Sequence, residues 1–291
     1  MANTDGPDIV APGIVAPGIV ALGEASIPDG LALVAEAGWN QVADDWRLMI
    51  RHGHTVGCRD DSGRFIASGL AMPYGARIGW ISMVLVNGQW RRRGIATRIV
   101  EHCADWLEAR GITPVLDATP AGAAVYRPMG FETITGMTRW HRPPGAVPMP
   151  DTIRPAMPDD LPHIAMTDAE VFGGARRFLL EDLLSRPGAV AMVANAPNCG
   201  FALSRKGRVA TQIGPILAQD SATAIALLDG MLSVIDGPVL IDAFDRQDDF
   251  VGHLEARGFT RQRPFERMAR GPNRDFGRAD RSFAAAGPEL G

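Results

Sequence analysis

Residues 84–100 read VLVNGQWRRRGIATRIV. An apolar run over residues 81–86 stops at Asn87, and three arginines then lead to Gly94, where a helical apolar period begins. This order predicts a strand, a turn and a helix that starts at Ile95. The first turn of a helix has backbone N–H groups without intrahelical partners and carries roughly half a positive charge. Because an anionic phosphate suits that position, we predict a pyrophosphate-binding loop.

A second motif lies downstream of this loop. By itself, Arg-x-x-Gly-x-Ala also fits an ordinary connection with solvated arginines, because short glycine motifs often arise by chance. However, Asp117-Ala118-Thr119 ends a short apolar strand, and residues 121–131 then read AGAAVYRPMGF. The order V-x-x-x-x-R-x-x-G-x-A after a β-rich run, followed by Tyr-x-x-x-Gly-Phe, resembles the acetyl-CoA-binding and tyrosine motifs of the GNAT superfamily of N-acetyltransferases. Two motifs in this order are more specific than either one alone.

The composition limits the possible classes of protein. A chain of 291 residues with 46% hydrophobic residues is long enough for about two domains with a sizeable core. A net charge of −4 argues against a general nucleic-acid or anionic-membrane surface, so we expect neither partner. The three cysteines are widely spaced and match no metal or disulfide framework. We therefore expect no metal and a reducing, cytoplasmic location.

The N-terminal segment repeats the pentapeptide APGIV at residues 11–15 and 16–20. Although this segment is apolar, Asp5 and Asp8 stand where a secretory signal has basic residues, and prolines interrupt the run. No run of the ~18 apolar residues that a membrane helix needs occurs elsewhere in the sequence. The sequence therefore predicts a flexible leader over residues 1–18.

The remaining chain divides into two halves with matching landmarks. Periodicity predicts helices at 31–37, 44–50, 95–110, 120–129, 158–171, 175–185, 221–235 and 248–257. Predicted strands are 54–59, 65–72, 78–86, 114–117, 131–142, 189–194, 200–204, 208–217, 239–243 and 259–268. The Gly-Phe pair at residue 130 recurs 128 residues later, at residue 258, which indicates a duplicated fold. We predict a mixed α/β (α+β) protein with two tandem GNAT-like domains, each a mostly antiparallel central sheet flanked by helices. The boundaries are 19–142 and 151–270, with a proline-rich linker at 143–150 and a loose tail at 271–291.

The two halves differ where the first has its motifs. At the offset of 128, the second half places Asp220 and Ser221 opposite Arg92 and Arg93, Ala222 opposite Gly94, and Leu254 opposite Tyr126. An acidic side chain at the helix start would repel a pyrophosphate, and the phenol is missing. The second half also resembles the C-terminal domain of a tandem GNAT subgroup, in segments such as VFGGARRFLL and GFTRQRPFERM. We therefore expect a degenerate second domain that has lost cofactor binding.

The resemblance implies a reaction and assigns residues to it. It implies transfer of acetyl from acetyl-CoA to a primary amine of a small molecule or peptide, by direct attack in a ternary complex. The residues that it assigns to acetyl-CoA are Val84, Leu85, Val86, Arg91, Arg92, Arg93, Gly94, Ile95, Ala96, Thr97 and Thr119. Thr119 stands where the family often has asparagine. Tyr126 is the expected general acid, because a phenol beside the sulfur can protonate the departing thiolate.

The resemblance implies that the first two predicted helices form a wall of the acceptor pocket. Trp39, Asn40, Gln41 and Asp45 are the substrate-binding candidates, because an aromatic wall with amide and carboxylate groups suits a cationic amine. Asp45 fits a helix cap equally well. The general base stays open, since the strand over residues 78–86 has no carboxylate or histidine. The alternatives are relay through water or one of Asp45, His52, His54, Asp117 and Asp242.

Two other functions compete with the acetyltransferase. One is a non-catalytic acetyl-CoA-binding sensor or regulatory module, which the missing strand base favours. The other is transfer of a different acyl group, selected by the pocket size near Trp80 and Leu85. The intact pyrophosphate loop and Tyr126 favour an enzyme, acting as a monomer or a homodimer.

Overall fold

The computed structural model describes residues 17–145, 147–196, 199–272 and 274–291. Most of the expected leader, residues 1–16, lies outside this range. The elements of the first half are β1 (Ile19–Ala21), α1 (Ile27–Glu36), α2 (Ala43–His52), β2 (His54–Arg59), β3 (Phe65–Tyr74), β4 (Ile78–Val86), α3 (Ile95–Glu108), β5 (Thr113–Ala118), α4 (Pro120–Tyr126) and β6 (Phe131–Arg142). The predicted strand over 78–86 and the predicted helix start at Ile95 are both confirmed.

The second half repeats this order of elements. It contains β7 (Ile153–Pro155), α5 (Leu161–Phe172), α6 (Arg177–Ser185), β8 (Ala191–Ala194), β9 (Gly200–Lys206), β10 (Thr211–Ala218), α7 (Ser221–Leu232), β11 (Val239–Phe244), α8 (Asp248–Ala256), β12 (Thr260–Arg270) and β13 (Ser282–Ala284). Helices flank mostly antiparallel strands in both halves, so the predicted mixed α/β fold with a duplicated arrangement is confirmed.

All described strands join one sheet, in the order β1-β2-β3-β4-β5-β12-β6-β11-β13-β10-β9-β8-β7. Strands β6 and β12, at equivalent positions in the two halves, have each crossed to the other half. Strand β12 pairs with β5, whereas β6 pairs with β11, and the two crossing strands also pair with each other. Neither half therefore completes its sheet alone, and the second half supplies a strand beside the predicted catalytic motifs.

Buried ion pairs mark both crossings. The guanidinium of Arg267 on β12 holds both carboxylate oxygens of Asp117 on β5, at 2.9 Å each. In the same way, Arg139 on β6 holds both oxygens of Asp242 on β11, at 2.8 Å each. Both pairs are almost completely buried. A bidentate guanidinium–carboxylate pair fixes orientation as well as charge, so the two pairs specify the partner of each exchanged strand.

The expectation of a loose tail after residue 270 is wrong. Strand β13 lies inside the sheet between β10 and β11, and residues 285 and 286 after it are buried. The following residues then reach the first half, where the indole N–H of Trp80 donates to the Pro288 carbonyl at 3.0 Å. The Tyr74 hydroxyl also donates to the Leu290 carbonyl at 2.9 Å. The tail therefore belongs to the packed structure.

The core is continuous across the two halves. Its largest cluster combines α1 and α2 of the first half with α5 and α6 of the second, for example Trp46 with Leu180. Two further clusters lie under α3 and under α7, one in each half. In the described residues, no helix is both long enough and apolar enough to cross a membrane.

Candidate active site

The site begins where two parallel strands separate. Strands β4 and β5 are paired only from Ile78 to Trp80, opposite residues 113–115, and then diverge. Within β4 the pairing with β3 shifts by one residue, and Met83 takes a φ of +53°. The Ser68 hydroxyl donates to the Met83 carbonyl at 2.7 Å. This bulge bends β4 away from β5 and leaves an open gap between them.

A cavity of about 120 Å³, partly open to solvent, lies in this gap. Its first-half wall includes residues 82–84 of β4, residues 116–119, and Tyr126 of α4. Arg139 and the second-half residues Arg263, Phe265, Pro288 and Glu289 form much of the remaining wall. The strand exchange and the packed tail therefore place both halves of the chain around one cavity.

The start of α3 has the geometry expected for an anion site. Gly94 precedes the helix with a φ of +71°, a conformation that favours glycine, and a Cβ at this position would meet no atom within 4 Å. The first backbone N–H groups of α3, from Ile95 to Thr97, have no backbone acceptor in the described residues. The space beside Gly94 is thus open, polar and positive, which fits a phosphate.

The three arginines before Gly94 are exposed but differ in their contacts. The Arg91 Nε donates to the Val86 carbonyl at 3.1 Å, which ties the loop to the end of β4. The guanidinium of Arg93 lies over the Trp90 ring at 4.8 Å. Arg92 takes a φ of +59°. Their positive charges all lie beside the open start of α3.

Tyr126 and Thr119 lie at opposite ends of α4, and both line the cavity. Tyr126 is half-buried, with its ring 6.2 Å from that of Phe131, and burial raises the pKa of its phenol to about 12. Among the described residues its hydroxyl has no hydrogen-bond partner. The Thr119 Oγ1 accepts from the Gly122 N–H at 3.2 Å and so caps α4. Tyr126 is therefore a protonated donor with a free hydroxyl at neutral pH.

The four predicted substrate residues divide into two groups. Trp39 and Gln41 line the cavity, whereas Asn40 and Asp45 do not. The Asn40 side chain accepts from the backbone N–H groups of residues 209 and 210 and donates to the Ala210 carbonyl at 3.1 Å. It also packs so closely on Gly207 that a Cβ there would lie 2.2 Å from its amide. Asn40 therefore links the first half to a loop of the second half, instead of binding substrate as predicted from the sequence.

Asp45 is also structural. Its Oδ2 accepts from the Val42 N–H at 2.9 Å at the start of α2, as the capping alternative predicts. Its Oδ1 accepts from Arg186 at 2.6 Å and from Arg205 at 3.2 Å, both in the second half. With 1% of the residue exposed, Asp45 is a buried link between the halves and not a substrate ligand.

Most of the candidate bases are held in ion pairs or ring contacts with other residues. Asp117 lines the cavity, but Arg267 binds both of its oxygens, and Arg139 does the same for Asp242. The His52 ring stacks on Phe178 at 4.3 Å, and His54 Nε2 lies 3.0 Å from His102 Nε2. His52 and His54 do not line the cavity. Of the alternatives, these contacts favour relay of the proton through water.

Several residues of the cavity wall were not predicted from the sequence, among them Arg139, Arg263, Phe265 and Glu289. All four reach the cavity through the strand exchange or the packed tail, which local patterns do not reveal. One signal was present, because Arg261, Arg263 and Arg267 stand on the same side of the predicted strand. Such a row of charges on a predicted central strand indicates buried partners or a ligand.

The corresponding gap in the second half is filled. Strands β10 and β11 are paired in parallel over residues 211–213 and then separate, and β13 enters between them. Helix α7 begins at Ser221, so its cap, Asp220, corresponds to Gly94 at an offset of 126 and not the expected 128. The Asp220 carboxylate accepts from the Thr223 N–H at 2.8 Å. A strand therefore fills the gap, and a carboxylate occupies the helix start.

Comparison with known proteins agrees with this geometry. Residues 30–131 match the sequence profile of the Acetyltransferase (GNAT) family, and residues 164–284 match that of an Acetyltransferase (GNAT) domain. The chain is 25% identical over 235 residues to the "Uncharacterized N-acetyltransferase YitH" of Bacillus subtilis (strain 168), covering 79% of this chain and 83% of that protein.

Two solved structures share the fold. A proposed acetyltransferase from Pyrococcus horikoshii superposes with a TM-score of 0.81 at 17% identity, covering 98% of this chain and 100% of the other. A tandem GNAT protein from the clavulanic acid biosynthesis pathway, solved without acetyl-CoA, gives a TM-score of 0.64 at 17% identity. That match covers 89% of this chain and 100% of the other.

Proposed function

The chain belongs to the GNAT superfamily of acyltransferases and carries two GNAT domains in tandem, and from this premise we propose that it transfers acetyl from acetyl-CoA to a primary amine. The amine belongs to a small molecule or a peptide. The observation that carries the proposal is the difference between the two halves. The gap between β4 and β5 is open beside a glycine-led helix start, whereas the gap between β10 and β11 is filled by β13.

The start of α3 and the arginines before it hold the donor. The N–H groups of residues 95–97 and the charges of residues 91–93 bind the pyrophosphate, and the open space at Gly94 lets it approach the backbone. Backbone groups of residues 84–86, beyond the bulge, pair with the pantetheine arm. Thr119 faces the same cavity and can still donate its hydroxyl proton. Acetyl-CoA supplies an activated thioester, whose carbonyl the amine attacks.

The transfer forms a C–N bond and breaks the C–S bond. Tyr126 donates its proton to the departing sulfur, which its raised pKa permits because the phenol is fully protonated before the step. The ammonium of the acceptor loses two protons through water, since the nearby carboxylates are held by arginines; one of them restores the Tyr126 phenol and the other is released. The balanced products are an acetamide, a free thiol and a proton. Backbone N–H groups of β4 stabilise the charge that develops on the carbonyl oxygen.

The second half acts as a wall and not as a second catalytic site. It contributes Arg263, Phe265 and Glu289 to the cavity. Its own helix start carries the Asp220 carboxylate, which would repel a pyrophosphate. The duplicated domain thus completes the acceptor side of the first.

The test is release of free thiol from acetyl-CoA across a library of amines, with mass spectrometry of the products. We expect thiol release with some amines, matched by one added acetyl group per thiol on the amine. Tight acetyl-CoA binding without any acetylated product would contradict the proposal and favour an acetyl-CoA sensor. Acylation only with longer donors would instead contradict the acetyl specificity.

A further inference from the structure

Several polar atoms of the cavity wall have no partner in the described chain. The side-chain amide oxygen of Gln41 and the hydroxyl of Ser82 are buried, make no hydrogen bond and belong to residues less than one-tenth exposed. The Nε of Arg263 is also buried and unpaired. All three residues line the same cavity. Because buried polar groups are normally paired, this set indicates a polar ligand that supplies the missing partners.

Arg263 is the cation of this wall that lacks an anion. The other arginines around the cavity have carboxylate partners in the ion pairs Arg139–Asp242, Arg267–Asp117 and Arg205–Glu289. Within the described residues, no carboxylate oxygen lies within 4 Å of the Arg263 guanidinium. Burial and the charge of Arg139 lower the pKa of Arg263, but a guanidinium still stays charged at neutral pH.

The position of Arg263 is set by an irregularity in β12. The pairing between β12 and β6 shifts between Arg261 and Arg263, and Arg263 then lies directly opposite Arg139. Both guanidiniums lie over the Phe265 ring, at 5.3 Å for Arg263 and 5.5 Å for Arg139. Like charges opposite each other in a sheet are unfavourable, and a bulge is a common way to direct a side chain into a site. An anion bound at Arg263 would relieve this repulsion.

We propose that the acceptor is an amine that also carries a carboxylate, and that Arg263 binds this carboxylate while Gln41 and Ser82 bind its amino end. This inference rests on the proposed acetyltransferase function. Ser82 lies on β4 next to the bulge, so an amine held there is close to the acyl group. The planar fork of Arg263 suits a carboxylate, which accepts two parallel hydrogen bonds. The substrate class is therefore amino-acid-like.

The first experiment compares matched acceptors with the wild-type protein. Glycine, β-alanine, γ-aminobutyrate and glutamate are each tested against the corresponding carboxamide, and phosphoethanolamine against ethanolamine. We expect at least one free amino acid to be acetylated with a KM roughly 10- to 100-fold below that of its carboxamide. Equal use of acids and carboxamides, or preference for phosphoethanolamine, would overturn the carboxylate assignment without affecting the acetyltransferase function. Absence of acetylation with every amine would contradict both.

The second experiment uses Arg263→Gln, with Arg261→Gln as the matched control. Arg261 is exposed on the same strand, lies outside the cavity wall and pairs with Glu255 at 3.2 Å. Arg263→Gln should raise the KM for the amino acid roughly 10- to 100-fold and remove the preference over the carboxamide, with acetyl-CoA affinity unchanged. Arg263→Lys should restore part of the preference, and Arg261→Gln should keep all of it.

Direct binding provides a readout that does not depend on turnover. Calorimetric titration of the preferred amino acid into the protein with CoA present should give weaker binding for Arg263→Gln by the same factor. Thermal melting of each variant establishes that it folds. Unchanged amino-acid binding by a folded Arg263→Gln variant would overturn the inference, even if its turnover falls.

Discussion

Replacement of Tyr126 by phenylalanine tests the proposed acid with a minimal change. The substitution removes one hydroxyl and keeps the ring that packs 6.2 Å from Phe131. Because the hydroxyl makes no hydrogen bond in the described chain, its loss should change the free energy of unfolding by less than about 0.5 kcal/mol. The packing around acetyl-CoA should be retained, so the Kd for acetyl-CoA should also stay within about twofold. Any large effect must then come from the missing proton.

The size of that effect follows from the role of the phenol. A positioned general acid contributes roughly 100-fold or more to a rate, so kcat for Tyr126→Phe should fall by at least about 100-fold, equivalent to about 3 kcal/mol. Burial raises the pKa of this phenol to about 12. In the folded protein the phenol therefore keeps its proton until the pH approaches about 12, whereas an unperturbed phenol loses it near about pH 10. The wild-type rate should show no alkaline decline from Tyr126 at ordinary assay pH.

The assay is thiol release at saturating acetyl-CoA, with calorimetry for affinity and thermal melting for stability. Tyr74→Phe is the matched control, because Tyr74 is the other of the two tyrosines in the chain and its hydroxyl only donates to the Leu290 carbonyl. This control should lose about 1 kcal/mol of stability and keep kcat. A kcat for Tyr126→Phe within twofold of the wild type would refute the acid role.

Three further changes test the site and its scaffold. Gly94→Asp should weaken acetyl-CoA binding roughly 10- to 100-fold, because its carboxylate would repel the pyrophosphate. Gly94→Asn should weaken binding far less, because asparagine tolerates the same left-handed backbone without the charge. Equal losses of affinity for the two variants in calorimetry would point to backbone strain alone. Phe283→Ala removes a ring packed edge-on against Phe250 at 5.6 Å and should cost about 3–5 kcal/mol in urea unfolding, whereas a loose tail would cost almost nothing. Asp242→Asn leaves the buried Arg139 cation without its anion and should destabilise the protein by about 3–5 kcal/mol, so a loss under 1 kcal/mol would argue against the pair.

Features encoded by neighbouring residues could be predicted from the sequence. The run of β-branched residues before Asn87 and the helical period after Gly94 are local, so strand β4 and the start of α3 were correct to the residue. The positive φ of Gly94 also agrees with the glycine in the motif. The duplicated order of elements could be predicted because each half carries its own turn and periodicity signals.

Features that depend on distant pairing could not be predicted. Strands β6 and β12 have the same local pattern whether they pair within their own half or across it, so the exchange leaves no local signal. Asn40 and Asp45 were misassigned for the same reason, since their partners lie 141–170 residues away. Strand β13 has only three residues, and it forms because two diverging strands present unpaired edges. Its sequence alone has weak strand propensity.

Hydrogen–deuterium exchange with and without saturating acetyl-CoA tests whether acetyl-CoA binds at the start of α3. We expect slower exchange over residues 82–97, where β4 leads into the start of α3, and no change over residues 214–224, where β13 and Asp220 occupy the corresponding positions. Protection at the start of α7, or no protection at the start of α3, would contradict this expectation.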